Sequence, residues 1–152
     1  MEELFNFLVE AKRHTVAADN DDCVVPDDIP NTLEYEFRAN NLIYSDIKYG
    51  DEQCIGQEIV YKNGVPLWGN NYYSILLDKS VKEDVDKVIK KALKLVGDSL
   101  YMPIRGPKVL EDGPYKYTCD ITGGLEFFSG TESVFKNGKR VYVLRLNGGK
   151  IS

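Results

Sequence analysis

Along the chain, apolar and polar residues alternate in six runs and recur at three-to-four-residue spacing in two others. Alternation marks half-buried strands, and it places them near 42–49, 54–62 and 65–76, then near 115–121, 125–136 and 139–147. Asn63-Gly64 and Asn137-Gly138 fall between paired runs. Both can take the positive φ values of a two-residue type I′ turn, the strongest short-range hairpin signal. Helical spacing connects Val81, Val85, Val88, Ile89, Ala92, Leu93 and Val96, with Ser80-x-x-Glu83 as a capping box and Gly97 as a stop. A shorter stripe of Leu4, Phe5, Leu8 and Ala11 predicts a helix near 2–13. The order is α-βββ-α-βββ, with an acidic connector at 18–33 and a Gly/Pro-bearing one at 97–114.

The two halves resemble each other in detail. Sliding the chain by 74 residues aligns 46–64 with 120–138 without a gap, and ten of nineteen positions are identical, from Asp46/Asp120 to Gly64/Gly138. Chance gives about one. A popular Lys-Asn-Gly turn accounts for three identities and leaves seven, so the reading is a duplicated unit. Neither half has enough apolar surface to fold alone. The expected fold class is therefore α+β: one domain over 1–152 made of two pseudo-symmetric halves, about 1–78 and 79–152. Both helices lie on one face of an antiparallel sheet, leaving the other free to be concave.

Two-residue turns also fix facing. Pairing Lys62 with Val65 pairs Ile59 with Trp68 and Glu58 with Gly69, so Ile59, Tyr61 and Trp68 share one face. In the second hairpin Ser133, Phe135, Tyr142 and Leu144 share the corresponding face. This repeating aromatic face is the one expected beneath the helices. Glu58 and Glu132 repeat on the opposite face, where pseudosymmetry sets them across from each other. Paired carboxylates in a cleft hold a cation or act as acid and base; alternatively, each pairs with a lysine and sets register. The stretch "PLWGNNYYS" at 66–74 adds Trp68, Asn71, Tyr72 and Tyr73. With Tyr142 these are candidate walls for a small-molecule pocket and cation–π partners, or else strand residues chosen for packing.

Composition removes several function classes. The chain has 152 residues and a net charge of −5, which argues against general affinity for nucleic-acid phosphates or an anionic membrane. Three scattered cysteines form neither a disulfide framework nor a zinc site, and fit a reducing cytoplasm. The first residues lack a basic region before an apolar run, so no secretion signal is expected, and no apolar stretch is long enough to cross a bilayer. The single histidine, His14, ends a helix and reads as a dipole partner. "DNDD" at 19–22 lacks the glycine and distal glutamate of a calcium loop. No cofactor or metal is expected, and phosphate-binding and nucleophile-elbow motifs are absent.

With "YSDIKYG" at 44–50, "IGQEIVYKNGVPLWGNNYYS" at 55–74, "IRGP" at 104–107 and "FFSGTESVFKNGKRVYVLRLNGGKI" at 127–151, the chain resembles an uncharacterised bacterial family, domain of unknown function 5680. "FLVEAKRHTVA" at 7–17 and "LEYEF" at 33–37 extend the likeness. Members stand alone or behind XRE-type helix-turn-helix domains, which implies a sensor or effector-binding role but no activity. This chain has no helix-turn-helix and carries acids near 18–24, where the family is glycine-rich. Gyrase-inhibitor-like effector domains offer an analogy of shape only.

Three functions follow in order. First is a module binding a small cationic or aromatic molecule between the repeats, with Glu58 and Glu132 as charge partners. Second is a protein-interaction module, as a homodimer or beside a transcriptional regulator. Third is a hydrolase using the paired glutamates; an enzyme is the lesser expectation.

Overall fold

The structure is a computed structural model, describing residues 1–26, 28–98 and 102–152. Helix α1, Glu2–His14, buries Leu4, Phe7, Leu8 and Ala11, a stripe at helical spacing in which Phe7 rather than Phe5 is the fully buried ring. Glu2 and Glu3 open it, and Lys12, Arg13 and His14 close it, in accord with the helix dipole. Helix α2, Lys82–Leu93, buries Val85, Val88, Ala92 and Leu93. It starts later than the expected capping box would place it. The Asp78 carboxylate accepts from the Ser80 amide at 3.0 Å and the Ser80 hydroxyl at 2.6 Å, which folds Lys79–Val81 into a 3-10 turn before the helix. Beyond the helix, Gly97 has φ +82, and a Cβ there would lie 2.5 Å from a Val9 methyl of α1.

Among the described residues nine strands form one antiparallel sheet, five between the helices and four after α2: β1 Val24–Val25, β2 Thr32–Ala39, β3 Leu42–Gly50, β4 Gln53–Lys62, β5 Val65–Leu76, β6 Val109–Asp112, β7 Tyr115–Gly124, β8 Phe127–Lys136 and β9 Lys139–Lys150. Their spatial order is β1-β2-β3-β4-β5-β9-β8-β7-β6. The class is α+β. The six expected strands are present, while β1 and β6 lie inside stretches expected to be connectors and β2 begins in one. At the centre, β5 pairs with β9 from Trp68↔Lys150 to Leu76↔Tyr142. Helix α1 contacts β2 and β3, and α2 contacts β7 and β8. No helix among the described residues is long and apolar enough to cross a membrane.

Both Asn-Gly turns form as expected, with φ +54 and +79 at Asn63-Gly64 and +47 and +80 at Asn137-Gly138. The facing expected from them is overturned one residue later. A register shift follows Tyr61↔Pro66 and leaves Leu67 unpaired, so Val60 meets Trp68 and Glu58 meets Asn70. The same shift leaves Val141 unpaired, setting Val134 against Tyr142 and Glu132 against Leu144. A bulge flips every residue beyond it. The bulged carbonyls are used elsewhere: that of Leu67 accepts from the Ile151 amide at 2.8 Å, and that of Val141 from the Leu77 amide at 2.8 Å. Trp68, Tyr142 and both glutamates consequently share the inner, core-bearing face. Glu58 and Glu132 are fully buried there, not on the open side.

Candidate functional site

Each repeated glutamate is enclosed by its own partners. Glu58 on β4 is 0 % exposed and pairs with the Lys12 ammonium of α1, itself fully buried. Tyr44 donates to Glu58 Oε1 at 2.8 Å and Asn70 to Oε2 at 2.9 Å. Burial works to raise the Glu58 pKa, but the charge and hydrogen bond of Lys12, with Asn70 and the more distant Arg105, leave it below the ordinary carboxylate value. Glu132 on β8 receives the Arg105 fork, Nε to Oε2 at 2.9 Å and Nη2 to Oε1 at 2.8 Å, and a Tyr117 hydroxyl at 2.5 Å. Tyr117 in turn accepts from the Gly106 amide at 3.0 Å, which fixes the connector carrying Arg105. Such sites hold packed elements together. The glutamates do not face each other, and each has its charge matched.

Asp46 is different. It lies on β3 opposite Glu58, 3 % exposed, and its Oδ1 accepts from the Tyr72 hydroxyl at 2.7 Å. Among the described residues no cation comes within salt-bridge distance of it. Burial, then the Glu58 charge, pushes its pKa up to about 7, against the pull of the Tyr72 hydrogen bond, Lys12 and Arg105. Tyr72 is raised too, first by burial and then by Asp46. The ring of Tyr72 reaches Asp46 by crossing Gly56 on the neighbouring strand, where a Cβ would lie 2.1 Å from Cζ. The glycine is what admits the tyrosine.

Asp46 and Tyr72 open on a cavity of about 350 Å³. Its sheet wall adds Tyr35, Cys54, Ser74 and Tyr142, with Arg105 contributing from the connector. Helix α2 covers it with Ile89 and Leu93 and supplies Lys82 and Asp86. Of the lining cations, Lys82 is engaged by Asp86 at 2.7 Å and Asp51 at 3.2 Å, Arg105 by Glu132 and Lys90 by the Ala18 carbonyl, while Lys48 lines the wall without reaching Asp46. Asp46 is the lining carboxyl whose charge remains unmatched. Aromatic and hydroxyl walls around an acid suit a cationic guest, which would also draw the Asp46 pKa down. Cys54 Sγ sits 2.8 Å from Ser74 Oγ, without a histidine beside it. His14 instead stacks on Phe37, with centroids 4.7 Å apart.

Of the expected site residues, the structure brings Tyr72 and Tyr142 into this cavity. Glu58 and Glu132 are sealed beneath it. Trp68 is a core residue: its indole donates to the Leu125 carbonyl at 2.9 Å and stacks on Phe128. Asn71 and Tyr73 lie on the outer face, where the Asn71 oxygen accepts from Gln57 at 2.7 Å. Asp46 and Arg105 were not singled out by sequence reasoning. Asp46 carried a signal, an acid at an inward position of an alternating strand. Its repeat identity with Asp120 misleads, because Asp120 pairs with Thr131 and points outward, whereas Cys119 opposite Glu132 holds the place that Asp46 holds opposite Glu58. No group of three or more His, Cys, Asp or Glu among the described residues is placed to hold a metal.

The family model described as "Domain of unknown function (DUF5680)" matches residues 46–151. No curated protein and no solved structure matches the chain.

Proposed function

The chain belongs to the DUF5680 family, whose description specifies no reaction, and from the cavity beneath α2 we propose that it is a binding module for a small organic cation. The observation that carries the proposal is Asp46, a buried carboxyl with no cation in salt-bridge distance among the described residues, walled by tyrosines in a cavity of about 350 Å³. That volume is at the lower end of ordinary ligand sites, so the guest is a compact amine or quaternary ammonium rather than a drug-sized molecule.

The frame around the cavity reads as an internal duplication of a three-stranded unit, β3–β5 after α1 and β7–β9 after α2, with both helices on the inner face and with β1, β2 and β6 added outside the two copies, beyond the six strands of the expected α-βββ-α-βββ order. Support comes from the paired bulges at Leu67 and Val141, and from Tyr44–Glu58–Lys12 matched by Tyr117–Glu132–Arg105. Within it, Asp46 and Cys119 are the inner residues opposite the two glutamates, and they differ. The cavity takes its sheet wall mainly from the first half and its cover from α2, so the guest lies between the halves. Such a site suits a sensor or effector-binding role. The glutamates, each neutralised and enclosed, are the frame of the site and not its acid–base pair.

The test is calorimetry and thermal shift with small amines and tetramethylammonium on wild type and Asp46→Asn at pH 8. A stabilising cation lost in the variant supports the reading, with affinity in wild type falling roughly tenfold per pH unit once the carboxylate is protonated below about pH 7. Equal stabilisation of both proteins, or of neither, overturns it.

A further inference from the structure

The outer face of the sheet differs between its two halves. One row across the strands runs Tyr49, Ile55, Tyr73, Arg145, Thr131, Asp120, and the next runs Ile47, Gln57, Asn71, Asn147, Ser129, Thr122. On the β3–β5 side the first row is apolar and open to solvent, with Tyr49 47 %, Ile55 58 % and Tyr73 46 % exposed. On the β7–β8 side the same row carries Thr131 and Asp120, and the next row Ser129 and Thr122. Folding alone does not require this difference, since the hydroxyl-bearing half forms the same strands.

The apolar half lines a groove of about 690 Å³ that adds Ile59 and Tyr61 to these side chains and ends at Arg145, Asn147 and Asn71. Arg145 is exposed, pairs directly with Tyr73 across β5 and β9, and has no ion-pair partner among the described residues. Asp120, on the same row two strands away, does not reach it. A planar guanidinium left unmatched at the edge of an apolar trough is suited to a planar anion attached to an apolar body. The neighbouring amides supply further donors, because Asn71 uses its oxygen on Gln57 and keeps its NH2 free for a guest. Exposed apolar area of this kind, rimmed by polar groups, marks a binding surface.

We propose that this groove is a second ligand site, taking an amphipathic carboxylate: the head on Arg145 with Asn71 and Asn147, and the acyl chain or aromatic body along Tyr73, Ile55, Tyr49 and Ile59. It differs from the cavity beneath α2 in face, in charge and in guest. A cation is disfavoured here by Arg145.

Decanoate is the probe, with decylamine as the same chain bearing the opposite charge. Binding is read by calorimetry and by amide chemical shifts on the wild-type protein, Arg145→Gln, Tyr73→Ser and Asp46→Asn. Both groove substitutions fall on exposed side chains, so circular dichroism should be unchanged. The expected result is saturable decanoate binding with shifts on β4, β5 and β9, weakened at least tenfold in Arg145→Gln and in Tyr73→Ser, retained in Asp46→Asn, and at least tenfold weaker for decylamine. Decanoate binding insensitive to Arg145→Gln, or matched by decylamine, overturns the proposal as general apolar adsorption. So does a chain that sediments as a dimer with this face protected, which would make a second copy the occupant.

Discussion

Lys12 and Glu58 form a fully buried ion pair, so each depends on the other more than on the fold around them. Removing one partner leaves a charge in the core, which costs about 3–5 kcal/mol, whereas removing both is far milder. Lys12→Met should therefore lose about that much stability in urea titrations, and Lys12→Met/Glu58→Gln should recover most of it; an additive double mutant refutes the coupling. Asp46 acts with the opposite sign. Its pKa rises from 3.8 to about 7 on folding, so between those values the native state holds a proton that the unfolded chain releases, and stability falls as pH climbs through the window. Asp46→Asn should gain on wild type from pH 4 to pH 7 and hold that gain above. A pH-independent difference refutes it. For Glu58, lowered on folding, the contribution is present above its ordinary value and lost as pH falls through the folded one. Both glutamates were legible as special residues because they repeat. Their burial was not, because the cations that neutralise them come from α1 and a connector, far away in sequence.

At the level of strands and helices, alternation and Asn-Gly turns were enough to locate six strands, and three-to-four-residue spacing both helices. What they could not convey was the bulge after each turn. Nothing in Val65-Pro66-Leu67 says that Leu67 will stand unpaired; that is decided by the Ile151 amide that its carbonyl serves. The short edge strands β1 and β6 were hidden for a similar reason, since two or four residues are too few to show a period. Gly56 shows the same limit: it was visible as a repeated glycine, yet its reason is the Tyr72 ring lying over it. Gly56→Ala should force that ring away and cost about 1–3 kcal/mol, as overpacking does. The companion test is Gly56→Ala/Tyr72→Leu, which borrows the leucine that the second half sets opposite its own glycine, Leu146 against Gly130. Stability should return while the hydroxyl contact to Asp46 stays lost. If the double variant is no better than the single one, the ring is not what excludes a side chain at position 56.

For the molecule as a whole, the question is whether two similar halves unfold as one. The seam between β5 and β9 carries nine residue pairs, and the single tryptophan sits on it. Trp68 belongs to the first half, but its indole donates to Leu125 and stacks on Phe128 at 5.6 Å, both in the second, and it is 0 % exposed. Arg105 also serves both halves, pairing with Glu132 while lining the cavity that holds Asp46. Opening either half therefore exposes the tryptophan and breaks the core of the other, which makes intermediate states costly. Tryptophan fluorescence and far-ultraviolet circular dichroism should accordingly report the same midpoint and slope in urea, as cooperative unfolding requires. A fragment covering 1–78 should lack the blue-shifted emission of a buried indole. Separate transitions, or a folded fragment, would mean that the chain is two domains side by side, and the cavity between them a hinge instead of a preformed site.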